Sequence, residues 1–298
     1  MPSVTSDSLD VINKTMDPDD LRSPAARAII EELDRLIVML RERRLPISSW
    51  YGRFDLDGEP DSFERLNRGY GYAPLERAAD DVHFPWFLYW EIVWVVLHGG
   101  LARPQRVLDL GGAASLFSYY LASKGHQVTT VDLQEPLVEA GNLVARTMGW
   151  TLTNRIMDMR QLSMSARFDH VTSICVFEHI PMYDRAPASR AIRDVLVDDG
   201  RFGLTFDYRN PSSRARISSA RDIEEQFVTP SGLTVRGNAA FCDTGRDYLL
   251  HPFYHPATSR RERESLVRRG DFARSELSVT KTANDYTFGA LFLEKRTR

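Results

Sequence analysis

From about residue 104 to 206 the chain repeats one rhythm: a short strand-like run, a turn, then a segment with helical spacing. The runs 106–110, 127–131, 153–157, 168–176 and 201–206 read as strands. The segments 115–123, 136–148 and 183–196 read as helices, and Gly125 ends the first of them. Parallel neighbours cannot be joined by a tight turn. Alternating units of this length therefore dictate a parallel sheet with helices packed on it, an α/β class of fold.

The flanks read differently. Residues 1–22 are polar, rich in Ser, Asp and Thr, and read as a flexible tail. Ser23-Pro24 supplies an N-cap and a first-turn proline, and Ile29, Ile30, Leu33, Leu36, Ile37 and Leu40 recur at helical spacing to about Arg44. Residues 45–75 carry Gly and Pro breakers, and an aromatic helix is expected within 85–98. The expected organisation is a tail at 1–22, an N-terminal helical cap at 23–100 and a core at 101–298 with an insertion at 210–256. A charged helix at 259–269 and a terminal β-hairpin of 276–282 with 286–294 complete the reading.

The 298 residues carry 38 basic and 41 acidic side chains, a net charge of −3. That balance argues against a protein that grips nucleic acid by charge alone. Two cysteines, Cys175 and Cys242, make neither a disulfide framework nor a zinc CxxC pair. The most apolar stretch, Phe84–Leu97, is shorter than the ~20 residues of a membrane span and contains Glu91. No apolar signal-peptide core is present near the start, so the expectation is a cytoplasmic protein.

The chemistry is concentrated in Val107-Leu108-Asp109-Leu110-Gly111-Gly112-Ala113-Ala114-Ser115. A buried strand ends in a turn of small residues and opens into a helix, so backbone N–H groups can approach a ligand closely. Asp132 follows 21 residues after Gly111, at the end of the next strand, where an acid can accept both hydroxyls of an adenosine ribose. A dinucleotide fingerprint requires G-x-G-x-x-G, and Gly111, Ala113 and Leu116 fit it badly. Asp109 would repel a pyrophosphate but suits a cationic amino-acid group. The pair therefore favours S-adenosylmethionine over a nicotinamide dinucleotide.

On these residues, 104–298 resembles a class I S-adenosylmethionine-dependent methyltransferase of the small-molecule type. Val107–Ser115 is similar to that family's glycine loop, with Ala113 and Ser115 where glycines usually stand. Val131-Asp132-Leu133 resembles its ribose-binding motif, and Met157-Asp158-Met159 lies where an acid often nears the adenine. Phe168–Ile180 resembles the fourth-strand motif ending in Glu-His, and Leu196–Phe202 the turn before strand five. The resemblance implies a Rossmann-like seven-stranded sheet with an antiparallel terminal hairpin. It implies cofactor contacts from Asp109, Gly111, Gly112, Ala113, Asp132, Leu133, Asp158, Met159, Cys175 and Val176.

The acceptor side rests on residues near the same strand ends. Glu178, His179 and Asp207 are the candidate catalytic groups, His179 because an imidazole can take a proton near neutrality. Phe84, Trp86 and Tyr89 on the cap, Tyr208 after strand five, and His251, Tyr254 and His255 in the insertion are candidate acceptor contacts. Asp207 and Asn210 offer oxygen ligands, but no acid cluster beyond Glu178 joins them, so no metal is expected. The resulting expectation is methyl transfer to an oxygen or nitrogen of a small metabolite, natural-product intermediate or sugar derivative, with S-adenosylhomocysteine as product. The alternatives are a non-catalytic S-adenosylmethionine- or partner-binding protein, a nucleic-acid methyltransferase and a nicotinamide-dependent reductase.

Overall fold

A computed structural model describes residues 11–48, 84, 86–210, 216–249 and 285–297. The repeating region folds as its rhythm predicts. Strands β2 (Arg106–Leu110), β3 (Gln127–Asp132), β4 (Leu152–Ile156), β5 (Phe168–Ile174) and β6 (Leu196–Tyr208) pair in parallel in the order β4-β3-β2-β5-β6. The chain builds outward from β2 to β4, then crosses back to β5. The strand order therefore reverses between β2 and β5, which opens a crevice at their carboxyl ends.

Side chains alternate across this sheet with period two. Val107 belongs to one core; Leu108 and Leu110 belong to the other. Phe202, Leu204, Phe206 and Tyr208 of β6 all face the second core. Helices α1 (Pro24–Glu42), α2 (Trp86–His98), α3 (Leu116–Ser123) and α4 (Glu135–Met148) contribute to the first, and α5 (Met182–Val195) to the second. A helical run at 220–231, with a π turn at Glu224–Val228, also covers the second face.

Ser23 caps α1 as expected, its hydroxyl accepting from Ala26 N at 3.1 Å. The turn expected within Leu196–Phe202 is drawn into the sheet. Phe168 pairs with Leu196 and His170 with Arg201, so β6 takes up the extra residues as a bulge, with Asp199 at φ 59°.

Residues 11–22 are not a loose tail. Strand β1 (Lys14–Thr15) joins the sheet, and Ile12, Met16 and Leu21 are buried. Trp94 Nε1 donates to Ile12 O at 2.9 Å, and Trp90 Nε1 to Asp20 Oδ2 at 2.8 Å. Polar composition concealed this because the buried residues are spaced singly among acids. What decides their placement is an edge that needs pairing. Strand β9 (Asp285–Glu294) runs antiparallel to β6, and three short strands line its far side. These are β7 (Thr234–Val235), β1 and β8 (Tyr248–Leu249). The strand expected at 286–294 is β9; the expected strand at 276–282 and helix at 259–269 lie outside the described residues. Among the described residues, no helix is long and apolar enough to cross a membrane.

Candidate active site

The crevice between β2 and β5 is lined first by the 111–115 turn. Gly111 adopts φ +72°, and a Cβ there would lie 2.5 Å from Val176 Cγ1. A Cβ on Gly112 would lie 1.8 Å from Asp109 Oδ2. Only glycine lets the turn fold back over the Asp109 carboxylate and against Val176. Ala113 and Ser115, which stand where the resembled family has glycines, each have a structural use. Ala113 is buried against Leu137 and Val138 of α4. Ser115 is the N-cap of α3, its hydroxyl accepting from Ser118 N at 3.1 Å. Ala114 takes the left-handed conformation, φ +57°, and its carbonyl receives Ser48 N at 2.8 Å, so the cap segment is tied to the turn. Ser115→Ala should cost about 1 kcal/mol of stability, as N-cap removals usually do, read as a lower midpoint in urea.

Asp109 is buried, and its Oδ1 accepts from Thr172 Oγ1 of β5 at 2.9 Å. Burial pushes its pKa up to about 7, against the opposing Thr172 hydrogen bond, and the nearby Asp132 charge adds to the rise. A carboxylate this dry favours a cationic partner. The raised value also fixes the sign of a pH effect. Between the unfolded carboxyl pKa and about 7, the native state holds a proton that the unfolded state has lost, so this group lowers stability as pH rises through that window. Asp109→Asn should therefore raise Tm relative to wild type at about pH 8 and leave it nearly unchanged at about pH 4. An equal shift at both values would show that Asp109 keeps an ordinary pKa.

Asp132 ends β3. Its Oδ1 accepts from Gln134 N at 2.9 Å, and the backbone N–H groups of Leu133 and Ala113 also face the carboxylate. Burial raises its pKa while these donors hold it down. Leu133 beside it is exposed. At the end of β4, Asp158 caps a 3-10 turn at Met159–Gln161 and is gripped by Arg160, whose guanidinium also reaches Asp184 at 3.1 Å. Its pKa falls because of that Arg160 contact. Met159 packs at the edge of the second core.

Beyond β5 and β6 lies a second polar group. Cys175 adopts φ +51°, with its N–H donating to Thr205 Oγ1 at 3.0 Å and its thiol 3.5 Å from Asp207 Oδ1. Burial drives the thiol pKa well up, and nearby carboxylates add to the effect. Glu178 is buried in a 3-10 turn (Phe177–His179), where its Oε1 accepts from Asp207 N at 3.1 Å. His179 is exposed, its Nε2 3.8 Å from that same oxygen. Asp207 accepts from Asn210 Nδ2 at 2.6 Å. Its pKa rises to about 6, first through burial and then through the Glu178 charge.

Three contributors were missed in the sequence. Glu91 of α2 is fully buried and accepts from Thr205 Oγ1 at 2.7 Å, so a Glu91–Thr205–Cys175 chain runs beneath the strand ends. The available signal was a lone acid in an otherwise apolar helix. Tyr286 of β9 faces the same carboxylates, and burial raises its pKa well above normal. Arg185 of α5 is buried; its guanidinium donates to the Glu178 carbonyl and to Gln226 Oε1, and its Nε to Ile180 O at 3.2 Å.

The candidate acceptor residues are dispersed. Phe84 is buried with Arg41 over its ring, and Tyr89 donates to Asp34 Oδ1 of α1 at 2.5 Å. Trp86 is less enclosed and meets Tyr248 edge-on at 5.5 Å. Tyr208 points into the second core beside Phe206 and Phe241, with its hydroxyl 3.3 Å from Asp243. His251, Tyr254 and His255 lie outside the described residues.

Residues 107–200 match the family model described as a methyltransferase domain. The chain is 25% identical over 160 residues to a ubiquinone biosynthesis O-methyltransferase of Aeromonas salmonicida, covering 49% of this chain and 66% of the relative. Against the same-named protein of Pseudomonas aeruginosa it is 30% identical over 122 residues, covering 40% and 51%. The matches thus span between about half and just under two thirds of these relatives. The crystal structure of the YcgJ protein from Bacillus subtilis superposes with a TM-score of 0.51 at 18% identity, covering 70% of this chain and 99% of that one. The [4+2]-cyclase SpnF superposes with a TM-score of 0.50 at 18% identity, covering 70% and 84%. One fold thus serves proteins of different names, so the likeness to methyltransferases rests on the sequence match. Residues 107–200 of this chain are therefore similar in sequence to a methyltransferase domain.

Proposed function

We propose that this protein transfers a methyl group from S-adenosylmethionine to an oxygen or nitrogen of a small molecule. The observation that carries the reading is the joint placement of Asp132 and the Gly111–Gly112 turn on one side of the crevice and of Glu178 and Asp207 on the other. The residues fit the cofactor. Asp132 retains acceptor capacity for a ribose hydroxyl. Gly111 and Gly112 leave the turn without side chains, and Asp109 is a buried carboxylate suited to an ammonium group. Bound there, the cofactor supplies an electrophilic methyl on a positively charged sulfur.

The protein's own residues would do the rest. The strand ends and the cap hold the acceptor so that its lone pair faces the methyl in line, which can itself supply much of the rate. As the acceptor takes the methyl that the cofactor would supply, its proton would pass to the Glu178–Asp207 group or to His179 at the rim. Trp86 is the cap residue best placed to touch an acceptor, because Phe84 and Tyr89 are packed toward α1.

Calorimetric titration of the purified chain with S-adenosylmethionine, S-adenosylhomocysteine and NADH tests the reading. Both sulfur ligands should bind and NADH should not. A panel of phenols and amines should then yield S-adenosylhomocysteine. Folded protein that binds neither sulfur ligand would sink the reading in favour of a partner-binding scaffold.

A further inference from the structure

The carboxylates past β5 and β6 are short of positive charge. Among the described residues, neither Glu178 nor Asp207 forms an ion pair with a Lys or Arg; the exposed His179 lies 3.8 Å from Glu178, and Arg185 acts on Glu178 only through its longer-range charge. Arg185 is close by, but its guanidinium is engaged by the Glu178 main-chain carbonyl and by Gln226. The Glu178 side chain is 2% exposed, and its Oε2 finds no hydrogen-bond partner among the described residues. A buried carboxylate oxygen without a hydrogen-bond partner is costly unless something meets it.

The surrounding donors indicate what could meet it. A carboxylate oxygen of Glu178, the Cys175 sulfur and a ring nitrogen of His179 lie within 4.8 Å of one another. Asp207 Oδ1 is 3.5 Å from that sulfur. The three groups are brought together by one tight turn, with Cys175 held in the left-handed conformation at φ +51° by the Thr205 hydroxyl. The sequence argument against a metal rested on the lack of an acid cluster beyond Glu178. Folding supplies the missing ligands from a thiol and from the adjacent strand.

We propose that Glu178, Cys175 and His179, joined by Asp207, bind one divalent cation of borderline softness, of the Zn²⁺ class. Sulfur and imidazole donors favour such an ion over Mg²⁺ or Ca²⁺, which prefer all-oxygen sites. Three or four protein donors leave room for a water or an acceptor oxygen. Binding would expel the thiol proton to solvent. Any use of the ion in holding an acceptor rests on the methyltransferase reading; the binding itself does not.

The test is a Co²⁺ titration of chelator-treated full-length protein, followed by absorbance, with Cys242→Ser as the background so that Cys175 is the sole thiol. One equivalent should bind and give visible d–d bands with a near-ultraviolet sulfur-to-cobalt band, and Zn²⁺ should displace it. Cys175→Ser should abolish the near-ultraviolet band. Glu178→Gln should weaken Zn²⁺ binding about 100-fold, at the upper end of what ligand-shell changes cost. His179→Ala is at an exposed site that should not disturb folding, and it should weaken binding about 10-fold or more. Absence of a stoichiometric cation, or equal affinity in the Glu178 and His179 variants, would overturn the proposal and leave a shared proton as the compensating charge. S-adenosylmethionine titrated into the Glu178 and His179 variants, neither of which is an expected cofactor contact, reads the cofactor site separately, so the two proposals can fail independently.

Discussion

Asp132→Ala is expected to weaken S-adenosylmethionine binding by roughly 30- to 150-fold, the ~2–3 kcal/mol carried by hydrogen bonds to a charged acceptor. The carboxylate is buried at the end of β3 and already positioned by Gln134 N and by the N–H groups of Leu133 and Ala113. A ribose would meet an acceptor whose orientation is already set, so little ordering cost offsets the bonds. Alanine would also release the Ala113 N–H and could disturb the turn. Asp132→Asn separates the two effects, because it keeps the shape and loses the charge; its loss should be smaller but clear. Calorimetry with S-adenosylhomocysteine gives the same comparison without turnover. If both variants bind as tightly as the wild type, the ribose does not sit at Asp132 and the placement of the cofactor is wrong.

The largest stability effect is expected at Arg185. This side chain is 1% exposed, and its guanidinium serves the carbonyls of Glu178 and Ile180 and the Gln226 side chain while lying 5.8 Å from the Phe227 ring centroid. Arg185→Ala removes these donors together, strands their acceptors in a dry interior and leaves a cavity. The expected cost is about 3–5 kcal/mol, the range for breaking buried charged networks. That is a large share of the ~5–15 kcal/mol that holds a typical domain folded. Arg185→Met restores much of the volume without the donors and should recover only the packing part. Urea denaturation of the three proteins measures both. A loss below about 1 kcal/mol for alanine would mean the carbonyls find water instead. Because Arg185 anchors the turn that presents Glu178 and His179, catalytic turnover should fall in the methionine variant even where it remains folded.

The central sheet could be read from the sequence because its information is local. Val107–Leu110 and Val128–Val131 are short segments rich in β-branched and apolar residues bounded by turn residues, and both fold as parallel strands. Gly111 and Asp132 could be recognised for the same reason, since each sits immediately after a strand end. Where the reading failed, the deciding contact was distant. Met16 and Trp90 are far apart in the chain, yet both belong to the first core, and nothing within the polar segment 11–22 signals that the β9 edge must be covered. Tyr89 is expected as an acceptor contact from its place in the aromatic cap, and Tyr208 from its place at the end of a central strand. Tyr89 turned instead to Asp34, and Tyr208 to the face opposite the Asp109 side.

The sequence by itself determined the α/β alternation, the turn that needs Gly111 and Gly112, and the acid that closes β3, because each depends on backbone conformation and on residues a few positions apart. Tertiary structure alone decided that Ala113 and Ser115 have places in that turn, that Glu91 reaches Thr205, and that Glu178 lies beside Cys175 and Asp207 with one oxygen unmatched. Those facts depend on how closely separate strands and helices approach and how much water they exclude, and burial of this kind raises the pKa of ordinary acids and leaves their charge in want of a partner.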